Sequence, residues 1–552
     1  MNILPEMLQV FVTQFSQQLF AWCGEQVYAQ LTAWVPEHLL VQVHQQMAWE
    51  PLDTACAAFH HQAGPGTPPS YSVAQLLRAM VVKYLYNWSP RQLEEQLRFN
   101  LLVKWFCGYS LLAATPDHCT LNRFDLWLGQ HHPRLLFEAV LSHIDAAWPQ
   151  QRQLPQTADT FALQANAAKE DLVPLIRHAC RQLLRAWERA APDQCAAIDS
   201  QRQAVALFGP VDEPSSFYLT PAERLVRLQT TARAAQACAD WVQKQRATAG
   251  PLTPAALEPV TAWLARLDKL WADELIERPA TAESPAQLVE RTDKGPYRLA
   301  SATDPEASYR VHGPDKQTLG YNVSLATTAD FIREVRADPG AQPDIVALPA
   351  LLLAQPALPP KLIYDAAAGE GKTRAVVAQA THGQTQLVAP LRPAAARPST
   401  FAVKDFELTA DGGLTCPAGQ TTHTVYHHQR SDGRLFGFPA GQCQGCRLWA
   451  ACRSQPADSH ERRQVFISDF RAEVVAAQLY NQTADFRADM RQRAQVERII
   501  AGLVRYGGAR RAQRHGQAKV DFQVKMQAMA FNLKRWMHLR LCQSQPATAG
   551  VA

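Results

Sequence analysis

The sequence predicts a mixed α/β protein whose sheet-forming core is split by two insertions. Three observations lead there. Short strand-like stretches occur in two separated blocks, around 155–165 and 297–391. Helical periodicity fills residues 1–150, 169–275 and 471–541. The region 394–470 is loop-rich and holds clustered cysteines.

At 552 residues the chain is long enough for two to four domains. Hydrophobic content of 47% with 19% charged residues is ordinary for a globular protein, and a formal charge of +5 permits a nucleic-acid partner without demanding one. The first residues, MNILPEMLQVFVTQFSQQ, lack a basic leader, and no apolar run is long enough to span a membrane. The expectation is a cytoplasmic protein without a membrane partner. Most of the 12 cysteines stand singly, which suits reduced thiols in a cytoplasm.

Residues 1–150 read as a helical domain. YSVAQLLRAMVVKYLYNW (71–88) has helical apolar spacing. SPRQLEEQL (89–97) follows, with Ser89 as N-cap, Pro90 at the first helical position and Glu94 or Glu95 in the next turn. TLNRFDLWL (120–128) marks a further start. Short helices joined by tight turns fit a helix-turn-helix DNA-binding region or a plain bundle equally. QTADTFAL then alternates as a strand. Residues 169–289 form a helical insert, divided by Pro/Gly breaks near 209–221 and 250–254. YRLASATD, LGYNVSLATT and FIREVRADPG read as successive strands, IVALPALLLA as a helix, and KLIYD and QTQLVAPLRP as two more strands. The core thus takes 151–168 and 290–393, the cysteine-bearing insert 394–470, and the last helical part 471–541.

KLIYDAAAGEGKT (361–373) raises the possibility of a phosphate-binding loop. That loop needs a glycine where Ala366 stands, and no strand ending in a second metal-binding acid follows at the right distance. GEGKT therefore reads as a turn and the first turn of a helix. Asp365 is the more telling residue, because α/β folds place chemistry at the carboxyl ends of strands. Taken alone it is a helix cap. Asp159, near the end of the first strand, reads alone as a turn residue. Glu497, in MRQRAQVERIIAGLVRYGG (490–508), reads alone as an ion-pair partner of Arg493 one helical turn back.

Together these segments resemble a known family. DTFALQANA, LIYDAAAGEGKT and RQRAQVERIIAGLVRYGGARRAQRHGQAK, ending in AFNLKRW, are similar to the three catalytic blocks of DDE transposases from bacterial insertion sequences. YSVAQLLRAMVVKYLYNWSPRQLEEQLRFNLLVKWFCGYSL and the TPDHCTLNRF that follows resemble the InsH-type N-terminal domain of that group. The resemblance implies an RNase H-like core carrying Asp159, Asp365 and Glu497, with long intervals that accommodate one insert each. In the third block Arg493 and Glu497 match, whereas Met490 stands at the family's tyrosine position and Val504, with Arg505 beside it, at the lysine position. The implied activity is cleavage and rejoining of DNA at the ends of the element. The implied cofactors are two Mg²⁺ ions, with Mn²⁺ as a substitute, held by the three acids. Two such ions about 3.5–4 Å apart activate the attacking oxygen and stabilise the leaving one, and hard cations favour carboxylate oxygens. The implied partners are double-stranded DNA, both terminal inverted repeats and target, and further copies of the chain on that DNA, in a nucleoid-associated setting.

Residues 505–519 carry Arg505, Arg510, Arg511, Arg514 and Lys519 without an acid. Directly after a catalytic helix such a run suits a phosphate-binding strip, and Arg493 in the third block is a further expected DNA contact. Cys416, Cys443, Cys446 and Cys452 follow the spacing C-x26-C-x2-C-x5-C. Four thiols so spaced suit one structural Zn²⁺, with His423, His427 or His428 as substitute ligands.

Overall fold

The structure is a computed structural model. It describes residues 3–61, 71–193, 201–248, 250, 252–280, 286–313, 316–391, 401–427, 432–453 and 462–544.

The N-terminal helices include α1 (Val73–Tyr86), α2 (Pro90–Phe99), α3 (His118–His131) and α4 (Leu135–Ala147). Ser89 caps α2, with Pro90 at its first turn. The reciprocal partner in the capping box is Gln92 rather than a glutamate. Glu94 turns away to accept from the backbone N–H of His118 at 3.0 Å.

The central sheet has six strands: β1 (Gln156–Gln164), β2 (Ser308–Val311), β3 (Gln317–Thr327), β4 (Ile332–Pro339), β5 (Lys361–Ile363) and β6 (Gln386–Val388). β3 pairs antiparallel with β1, β2 and β4, whereas β5 runs parallel to both β1 and β6. β1 therefore lies between an antiparallel half and a parallel half. β3 is buried over most of its length, as a strand covered on both faces must be, so its residues Tyr321, Val323 and Leu325 lie in the core together with Ala326. One expected strand is absent. YRLASATD (297–304) forms turns, because Asp304 is fully buried and accepts from the Tyr321 hydroxyl and the Gly516 N–H instead of continuing a ladder.

Between β1 and β2 lie α5 (Leu172–Ala190), α6 (Pro221–Thr248) and α7 (Pro254–Glu274), which enclose a core of their own. A hairpin of Leu275–Arg278 with Gln287–Glu290 closes this insert and was not legible as strands. The segment after β5 forms α8 (Gly371–Ala380). A cysteine-bearing region of short strands follows, again with a small core of its own. The chain ends in α9 (Ala484–Gln492), α10 (Ala494–Arg505) and α11 (Gln517–Ser544).

The main hydrophobic core joins regions far apart in sequence. Leu77, Met80, Phe124 and Phe137 of the N-terminal helices share it with Leu163 and Val335 of the sheet, and with Leu503, Met529 and Trp536 of α10 and α11. Gly129 of α3 lies so close to Phe522 of α11 that a Cβ there would come within 2.8 Å of its ring. Two forked ion pairs tie the helices to β4. Arg333 donates to both oxygens of Asp145 at 2.7 and 3.0 Å, and Arg134 to both oxygens of Glu334 at 3.1 and 2.7 Å. Asn532 of α11 donates to the Ile332 carbonyl and accepts from its N–H, satisfying the edge of β4. Among the described residues no helix is long and apolar enough to cross a membrane.

Candidate active site

Asp159 sits midway along β1, opposite Leu325 of β3. One of its oxygens accepts from the Thr160 N–H at 2.8 Å. Asp365 lies two residues past the end of β5 and caps a short 3-10 turn, accepting from the Ala367 N–H at 2.8 Å. β5 is parallel to β1 and paired with it at Gln156 and Thr157, so Asp365 emerges beside the strand that carries Asp159. Glu497 lies in the first turn of α10, where a carboxylate also meets the positive end of the helix.

Each acid thus fills the local role that its own surroundings give it, and Asp365 and Glu497 both bear electrostatically on Asp159. Burial pushes the Asp159 carboxyl above the usual carboxylate range, and the charges of Asp365 and Glu497 push it further in the same direction. The Thr160 N–H and the Arg493 guanidinium oppose the shift. Arg493 lies between two of the acids, with Nη2 3.5 Å from Asp159 Oδ2 and Nη1 3.3 Å from Glu497 Oε1. The ion pair expected between Arg493 and Glu497 therefore exists, but it is half of a bridge.

Several residues that hold this arrangement were not singled out in the sequence. Lys361, at the start of β5, donates to the Tyr480 hydroxyl at 2.8 Å and to Asp489 at 2.9 Å, while the Tyr480 hydroxyl donates to the same Asp489 oxygen. This cluster fastens α9, and with it the start of α10, to the strand that leads to Asp365. Arg310 of β2 donates to the Thr160 hydroxyl at 2.8 Å, beside Asp159. No periodicity or spacing marks Lys361, Asp489 or Arg310. Their partners come from elements far away in sequence.

GEGKT is explained by packing. Gly371 begins α8, and a Cβ there would fall 2.6 Å from the Phe470 carbonyl, so only glycine permits the approach. Lys372 pairs with Asp432 at 2.6 Å.

The basic strip runs from the end of α10 to the start of α11. Its backbone is fixed to the end of β1: the Gln164 N–H donates to the Arg510 carbonyl at 3.1 Å, and the Ala512 N–H donates to the Gln164 carbonyl at 2.8 Å. Gln523 of α11 holds the strip from behind, accepting from the Gln513 N–H and donating to the Arg511 carbonyl. Gly508 has φ +76° and lies against Asn87, where a Cβ would come within 2.2 Å, so this turn requires glycine. Arg505, Arg510, Arg511 and Lys519 are exposed. Arg514 differs. It points into the protein, donating to Asn122 at 2.9 Å and pairing with buried Asp125, which also binds Lys83 at 2.8 Å. The sequence could not separate it from its neighbours, because its partners Asn122 and Asp125 sit on α3, far away in the chain.

Cys416, Cys443, Cys446 and Cys452 line one small pocket together with Phe406 and Trp449. Burial pushes the Cys443 and Cys452 thiols up. His423 instead faces Asp411 at 3.5 Å, and His428 lies outside the described residues. Among the described residues, no three or more His, Cys, Asp or Glu side chains converge closely enough to hold a metal ion. The expected zinc site is therefore not formed as four sulfurs around one point, although the four thiols line the same pocket. By the same measure Asp159, Asp365 and Glu497 do not converge on one point; they suit a divalent cation in donor chemistry and negative charge, while the Arg493 guanidinium stands between Asp159 and Glu497.

Two comparisons bear on this arrangement. Residues 29–125 match a family described as a transposase domain (DUF772), and residues 415–537 match one described as a transposase DDE domain. The second match includes Glu497 and the basic strip, while Asp159 and Asp365 lie before it. No solved structure gives a significant match. Both matched stretches are thus similar to transposase domains. Together the two matches are consistent with a DDE transposase of an insertion element.

Proposed function

We propose that this protein cleaves and rejoins DNA at the ends of its own element, with Asp159, Asp365 and Glu497 as the catalytic acids. The observation that carries this reading is that Asp365, just past β5, and Glu497, on α10, both bear electrostatically on Asp159 of β1, with Arg493 bridging Asp159 and Glu497. The strand order, with β1 between an antiparallel and a parallel half, supports an RNase H-like core. Asp159, Asp365 and Glu497 would hold the divalent ions, Mg²⁺ or Mn²⁺, which when bound polarise the phosphoryl oxygen and acidify the attacking water or hydroxyl. The chain's own part is positional. β1 and β5 present two acids from a rigid sheet, and the Lys361–Asp489–Tyr480 cluster sets the helix that presents the third. Arg505, Arg510, Arg511 and Lys519 would neutralise phosphates along the exposed strip. A second copy of the chain on the paired ends belongs to the same reading.

Asp365→Asn keeps the side chain's shape but removes its charge. It is expected to abolish Mg²⁺-dependent strand cleavage of a DNA carrying the element's ends while leaving binding of that DNA nearly intact. Cleavage by the variant at the wild-type rate would overturn the assignment. If the wild-type protein binds the ends and never cuts them, the protein is a DNA-binding relative without catalysis.

A further inference from the structure

We infer that Arg493 is a resident counter-cation of the carboxylate site, and that it has to swing off Asp159 and Glu497 before a divalent cation can bind there. The inference rests on the catalytic reading of the three acids and adds a step that precedes metal loading.

The guanidinium bridges Asp159 and Glu497 through its two terminal nitrogens, at 3.5 and 3.3 Å. Both contacts are longer than a good charge-assisted hydrogen bond. The third nitrogen, Nε, is buried without a partner. Arg333 also has an unpartnered Nε, but its fork on Asp145 is short at both oxygens; by contact length Arg493 is the more loosely held ion. The other cations around the site have partners elsewhere. Lys361 is bound by Asp489 and Tyr480, and Arg310 by Thr160 and, at 3.6 Å, by Asp344. Arg491 and Arg498, on the same two helices, are exposed. Arg493 is the cation whose charge opposes the accumulated negative charge at Asp159.

Its position on the backbone suits a movable group. Arg493 is the single residue between α9 and α10, closing one helix and opening the next. Its side chain leaves from a junction rather than from a continuous helix. Two ligands would compete for what this arginine now does. A divalent ion competes for the carboxylates, and a DNA phosphate competes for the guanidinium. DNA that draws Arg493 away frees the acids, so DNA and metal should each strengthen the binding of the other by the same factor.

The test is Mn²⁺ binding to the full-length protein, read as free Mn²⁺ by electron paramagnetic resonance, with and without a duplex carrying the element's ends. Wild type should bind Mn²⁺ weakly alone and about tenfold more tightly with DNA. Arg493→Ala should bind Mn²⁺ about tenfold more tightly than wild type without DNA, and DNA should add little. Arg493→Lys, which keeps the charge, should restore most of the wild-type pattern. Arg493→Gln is the second neutral variant and should behave like alanine. Melting curves taken in parallel establish that each variant is folded. If Arg493→Ala and Arg493→Gln, both folded, bind Mn²⁺ no more tightly than wild type, the counter-cation role is wrong. If Mn²⁺ binding is absent, or is unchanged by Asp365→Asn, then the carboxylate reading fails as well. Loss of Mn²⁺ binding in Asp365→Asn with no effect at Arg493 overturns only the present inference.

Discussion

Asp159 illustrates a conflict that a single residue can carry. Its carboxyl is raised by burial and by two neighbouring acids, so the folded protein binds its proton more tightly than the unfolded chain does. Stability from this group is therefore greatest below the ordinary carboxylate value. It is lost as pH rises from that value through the raised one. Asp159→Asn removes the burden, and we predict a higher melting temperature at neutral pH together with loss of cleavage. The gain should shrink as the pH is lowered toward the ordinary carboxylate range. Calorimetric scans of both proteins across that range check this; a gain independent of pH would mean that charge is not the cause. Asp159 was legible in the sequence only through the family pattern. By itself it sits in a loosely alternating strand and bonds the next residue's N–H.

At the scale of the element, α9 and α10 depend on a contact that no periodicity reveals. Lys361 on β5 meets Asp489 on α9, and Asp489 is almost fully buried. Lys361→Met would leave that carboxylate without its cation. Removing one partner of a largely buried pair typically costs about 3 kcal/mol or more. The Tyr480 hydroxyl remains as a donor, so we predict a loss of about 2 kcal/mol. We also predict looser α9 and α10, visible as faster amide exchange in both helices with little change in β3. Equal protection in all three would remove this cluster's positioning role. The elements themselves were largely legible. α1 and α2, β1, and β3 to β6 all fall where apolar spacing and turn chemistry put them. YRLASATD failed because its alternation serves a buried Asp304 and its partners rather than a ladder. The hairpin of the helical insert is short and partly charged, so it carried too little pattern to find.

The whole molecule adds what neither scale contains. The basic strip was legible as composition, but only the tertiary fold separates Arg510 and Arg511, exposed beside the end of β1, from Arg514, turned inward to Asp125. Changing Arg510 and Arg511 together to Ala should weaken DNA binding and reduce the log–log salt slope by up to about 2. Arg514→Ala should instead lower thermal stability, because it strips one cation from a buried carboxylate, and should leave the salt slope nearly unchanged. A salt titration beside a melting curve for each variant checks both. Equal slopes for all three proteins would return the strip to an ordinary solvated surface.

The core that joins α1 and α3 to α11 has a consequence for how the protein is made. Residues near position 80 pack against residues near position 530, so the earliest helices have no finished partner while the intervening chain is being synthesised. Until α11 leaves the ribosome, Tyr84 lacks the ring of Phe522 and Gly129 faces open space. A nascent chain stopped anywhere before Gln517 exposes much of its largest apolar surface. Such products should be degraded rather than persist as shortened DNA binders, so a cell would accumulate complete copies or almost none.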